Sequence, residues 1–226
     1  MDRAQVMRAV RKPQSAAIAG LVFGIIFGGV ILLLQSASPV LMADAAHWTD
    51  HPDQVNAVNR ALDLIPFAGI AFLWFIAVIR AQLGSREDRF FETVFLGSGL
   101  LFIALLFAAA ASLKSVLILR DSGFAVSEEL LASSWAMALA LLKVFGARMA
   151  AVFTISVATM GTRMGTVPRW LALLAYVTGI ALLLTPPFPN LSQLLFPVWI
   201  IVLSCFILVR GRAAERALEA QSPSAP

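Results

Sequence analysis

The sequence predicts an all-α, polytopic membrane protein, a bundle of six transmembrane helices. Three observations carry that prediction. Of the 226 residues, 60% are hydrophobic and only 13% charged, too little polar surface for a soluble domain of this length. The apolar residues fall into long runs, each near the ~20 residues a helix needs to cross ~30 Å of hydrocarbon. Backbone amides in lipid must be satisfied within the segment, which makes these runs helices and not open strands.

A basic segment, residues 1–15, precedes the first span, and residues 16–210 form one six-span domain. Span one runs from Ala16 to Leu34 and carries Ala16, Gly20, Gly24 and Gly28 at four-residue spacing. Helices in lipid gain little from hydrophobicity when they associate, so this strip of small residues reads as a helix-packing face, inside the bundle or between subunits. An uncleaved span fits better than a signal peptide, because its apolar run exceeds the 7–15 residues of a signal core. The small residues Ala43 and Ala45 do nonetheless resemble a cleavage site.

The loop that follows contains both histidines of the chain, His47 and His51, beside Asp44, Asp50 and Asp53. His and carboxylate groups suit zinc or another divalent ion, so His47, Asp50 and His51 are the candidate metal ligands. Pro52 interrupts them and no recognised ligand spacing occurs, so a solvated polar loop is the competing reading. From Pro52 to Leu64, apolar Val55, Val58 and Leu62 recur at helical spacing opposite polar residues. This predicts an amphipathic helix, lying on the membrane surface or running into span two.

Span two covers Leu64 to Ile79, with Pro66 able to bend its entry. Ser85 and Asp88 then have capping-box spacing ahead of span three, Thr93 to Leu113. Span four, Leu130 to Thr159, begins after Ser127, Glu128 and Glu129, where acids suit the positive end of a helix dipole. Its 30 residues measure ~45 Å as a helix, so it must tilt or protrude. Span five, Trp170 to Thr185, is short, and three prolines separate it from span six, Leu191 to Val209. Residues 211–226 form a tail whose final Gln-Ser-Pro-Ser-Ala-Pro should be disordered.

Twelve Lys and Arg lie before span one, between spans two and three, between four and five, and after six; the alternate side has Arg60, Lys114 and Arg120. That asymmetry puts both termini in the cytoplasm. It also makes the net charge of +4 an anchor toward anionic lipid headgroups, with no implication of nucleic acid. Abundant Ala and the preference for Arg over Lys suggest a bacterial chain, hence a bacterial plasma membrane. The single cysteine, Cys205, excludes an intramolecular disulfide and two-cysteine metal or redox motifs.

The two remaining cations, Lys143 and Arg148, lie within span four, where a charge costs at least ~3 kcal/mol. An α-helical wheel puts Lys143 on a face of small residues with Ala136, Ala140 and Ala147, and Arg148 ~140° away. Three accounts follow. In the first, each cation reaches polar surroundings by snorkelling, Arg148 toward the cytoplasmic headgroups. In the second they are paired, Asp63 with Lys143 and Glu92 with Arg148. In the third they line a site for a polar or anionic ligand.

No triad ordering, zinc-protease helix, phosphate loop or dinucleotide fingerprint occurs, so no catalytic residue and no cofactor is assigned. The expected protein is a non-enzymatic bundle working within a membrane assembly, as a homo-oligomer or with a membrane-protein partner. The alternative is a small transporter or channel with Lys143 and Arg148 near a polar pathway.

Overall fold

The computed structural model describes residues 13–37, 45–83, 89–184 and 190–221. Among them there is no strand. The helices are α1 (Pro13–Ser36), α2 (Pro52–Leu83), α3 (Arg89–Asp121), α4 (Glu128–Arg163), α5 (Arg169–Leu184) and α6 (Leu195–Gln221). All except α5 are long and apolar enough to cross a membrane; α5, with 16 residues, spans ~24 Å. Most helices outlast their apolar runs by polar turns at one or both ends. The amphipathic stretch from Pro52 is therefore no separate surface helix. It continues into span two, and Pro66 sits within α2 without ending it. Span six starts later than its apolar run, because Asn190–Leu194 forms a 3₁₀ turn. The proposed capping pair Ser85 and Asp88 lies outside the described residues.

Two helices stop at glycines with left-handed backbone, Gly123 (φ 80°) after α3 and Gly165 (φ 66°) after α4. In each case the two residues closing the turn donate back to carbonyls the helix would leave unpaired, as Thr166 N does to Gly161 O at 2.9 Å. At the start of α4, the Ser127 hydroxyl accepts from Leu130 N at 3.3 Å, the cap that the acids beside it suggested.

Alternate helices run in opposite directions, giving the bundle a basic end with Arg80, Arg163 and Arg210, and a distal end with Trp48, Asp121 and Asn190. A phenylalanine cluster fills the middle. Phe72 touches Phe23, Phe102, Phe153 and Phe196 with ring centroids 4.5–5.7 Å apart, so five helices share one aromatic core. The glycines of α1 let neighbouring backbones approach it. A Cβ on Gly20 would lie 2.1 Å from Ser204 Oγ, and one on Gly24 would lie 2.4 Å from Ile201 Cγ1. Ala16 is buried too. At Gly28 a Cβ meets nothing within 4 Å, so the strip divides into an internal packing face and an open end.

Candidate ligand cavity

Helix α4 changes register in its middle. Ala140–Gly146 is a π-helical segment, and the amide of Ala147 donates five residues back, to Leu142 O. Gly146 suits that geometry, since a Cβ there would stand 3.0 Å from the Leu141 carbonyl oxygen. Such segments recur at functional positions because they turn side chains away from the face an α-helix would give them. Lys143 is at the centre of this one.

Lys143 lines a cavity of about 40 Å³ at the distal end. The other polar groups around it are Gln35 from the last turn of α1, Trp135 about two turns earlier on α4, and Gln193 from the 3₁₀ turn before α6. Side chains on a helix tilt toward its N-terminus, which for α4 is the distal end, so Lys143 is aimed at this group. Trp135 is 3% exposed, and among the described residues neither its Nε1–H nor the Nε2 amide of Gln193 has an acceptor. A buried N–H without a partner costs ~1–3 kcal/mol. Among the described residues, no Asp, Glu, His, Ser, Thr or Cys borders the space. It brings one cation together with the unmatched N–H donors of Trp135 and Gln193, an arrangement suited to an oxygen-bearing anion.

A second cavity of about 30 Å³ adjoins it, sharing Ile31, Leu34, Leu142 and Gln193. Apart from Gln193 its walls are apolar, and it ends on Phe27, Phe102 and Phe196 of the aromatic core.

The expected pairings form differently. Glu92 pairs with Arg80, Nε to Oε1 at 2.7 Å, joining α2 to α3 at the basic end. Asp63 lies 3.7 Å from Lys114 Nζ, which also donates to Asn59 Oδ1 at 3.1 Å. Both acids serve cations closer along the neighbouring helix than the pair first assigned to them. Arg148 does not reach toward the basic end either. Its Nη1 donates to Val144 O on its own helix, one turn toward the distal end. The N-terminal tilt of helical side chains accounts for that direction. Lys143 and Arg148 therefore share no site.

Of the three candidate metal ligands, His47 Nδ1 and Asp50 Oδ2 come within 3.3 Å of each other in an exposed turn. His51 does not complete a set: among the described residues no three His, Cys, Asp or Glu side chains group as metal ligands would. What that turn supplies is Trp48, 1% exposed and packed on Trp135 with centroids 5.5 Å apart. Trp48 ties the loop to the helix that bears Lys143. Its one signal in the sequence is a large aromatic among polar loop residues.

Comparison with protein-family models, with curated proteins and with solved structures finds no match. The apolar helices make the chain a membrane-embedded helical protein; its functional reading rests on the cavity.

Proposed function

We propose that this is a non-enzymatic, multi-pass membrane protein that binds a small, negatively charged, oxygen-bearing group beside Lys143. One observation carries the reading: a cavity bordered by Lys143, with two buried donors, Trp135 Nε1 and Gln193 Nε2, that lack acceptors among the described residues. A charge-assisted hydrogen bond is worth ~1.5–3 kcal/mol. Lys143→Gln should therefore weaken binding of acetate or methyl phosphate by roughly tenfold or more. Calorimetry on purified protein in neutral detergent measures this, with thermal unfolding to verify that the variant is folded. Equal affinity in wild type and variant would remove Lys143 from the site.

The twelve-to-three distribution of basic residues supports a bacterial plasma-membrane location with both termini cytoplasmic and the basic end against anionic headgroups. The cavity then opens near the outer leaflet. Reporter fusions at each terminus test the orientation. For an assembly, Gly28 and Gly29 offer the close approach that another helix needs, because a Cβ at either meets nothing within 4 Å among the described residues. Transport is the second reading, favoured by a cation facing a cavity inside the bundle. The phenylalanine core lies between that cavity and the basic end, so transport requires those rings to move. Anion flux in proteoliposomes tests it.

A further inference from the structure

The donor-lined space beside Lys143 continues into a second space of opposite character. Ile31, Leu34, Leu142 and Gln193 border both. Beyond Gln193 the walls turn hydrocarbon, including Val30, Ala147, Ala150 and Leu182, before closing on Phe27, Phe102 and Phe196. Apolar cavities of this kind exclude water and take up hydrocarbon instead. A free inorganic anion would use the first space and leave the second empty, which close-packed interiors avoid. A purely apolar guest would leave Trp135 and Gln193 without acceptors. The molecule that complements both has a charged head and an aliphatic tail.

We infer that the ligand is a single-chain amphiphile, its anionic head held by Lys143, Trp135 and Gln193 and the start of its tail lodged in the apolar arm. The inference rests on the proposed anion site and adds the tail. The arm admits one narrow chain, and the ring centroids of Phe102 and Phe196, 5.0 Å apart, close its floor. Only the first few methylenes gain from it.

The test is a homologous series, acetate through octanoate and methyl through octyl phosphate, titrated into the full protein in nanodiscs of zwitterionic lipid. Affinity should rise about fourfold per methylene over the first few carbons and then level off. The series that binds more tightly at matched length identifies the head as carboxylate or phosphate. Ala150→Leu fills the arm and should flatten the rise; if that variant fails to fold, Leu182→Phe fills it from α5. Head ions that bind with no dependence on chain length would overturn the amphiphile and leave the anion site standing. An equal rise in wild type and filled variant would assign the gain to the bilayer and also overturn it. No binding of any member to the wild type would overturn both readings.

Discussion

The middle of the bundle and its distal end are built from opposite materials. In the middle, Phe23, Phe72 and Phe153 are fully buried against one another, and glycines at 20, 24, 69 and 99 let helices close around them. Two hydroxyls there are met on their own helix, Thr154 donating to Ala150 O at 2.8 Å and Ser156 to Val152 O at 2.7 Å, while Ser204 Oγ beside Gly20 has no partner among the described residues. At the distal end the same helix, α4, leaves α geometry, borders open space and buries the Trp135 indole N–H without an acceptor among the described residues. Proteins keep interiors dense and polar groups paired unless something else is gained. The contrast separates the part of the molecule that packs most densely from the part proposed to bind.

The sharpest way to break this division is to truncate one aromatic in each region. Phe72→Ala removes a ring shared by several helices and should cost about 3 kcal/mol, the range of buried aromatic truncation. Lipid tails are as apolar as the ring, so the loss comes from vacated packing more than from solvent transfer. Trp135→Phe keeps most of the ring and deletes an unpaired donor; stability should hold or rise by up to ~1 kcal/mol, because the unmet N–H disappears. Reversible unfolding in mixed micelles compares the two. If Trp135→Phe destabilises as much as Phe72→Ala, the distal tryptophan is structural and the division fails.

A second comparison divides the small-residue strip itself. Gly24→Ile must displace Ile201, and its Cβ would stand 3.1 Å from the Pro197 carbonyl oxygen, which cannot swing aside. Overpacking of this kind costs about 1–3 kcal/mol. At Gly28 a Cβ meets nothing within 4 Å among the described residues, so in Gly28→Ile the monomer should keep its stability while any oligomer through that face dissociates. Unfolding combined with in-membrane crosslinking gives both readouts. An oligomer unchanged in Gly28→Ile would rule out that face as a subunit contact.

Much of this architecture was legible in the sequence, because helix length and hydrophobic composition are local properties. The runs gave the helices, and Ser127 with Glu128 and Glu129 gave the start of α4. The site was half legible. Lys143 stands out as a cation in an apolar run, but its surroundings depend on a π segment that no residue pattern announces. A wheel at ~100° per residue sets Lys143 among alanines, whereas Trp135, Leu139 and Leu142 share its cavity. The ion pairs were misassigned for a related reason. Sequence separation says which helices carry the charges and nothing about the depth at which side chains meet, so Lys114 for Asp63 and Arg80 for Glu92 emerged only in three dimensions.

The smallest expected effect lies at the N-terminus of α4, before the helix enters the hydrophobic layer. The Ser127 hydroxyl caps Leu130 N, and the Glu129 carboxyl sits below its ordinary pKa, held there by hydrogen bonding to its own backbone amide and then by Ser127. Ser127→Ala should cost about 1 kcal/mol, as lost N-caps do. The Glu129 term has a definite sign. Its folded pKa is depressed, so its contribution is present above the unfolded carboxylate pKa of about 4.3 and is lost as pH falls through the lower folded value. The cost of Ser127→Ala should therefore be largest near neutrality and shrink below about pH 4. Because Glu129 is fully exposed, the pH-dependent part is small and fades with added salt. A cost that grows on acidification would mean that the serine supports the protonated helix end and that Glu129 takes no part in the cap.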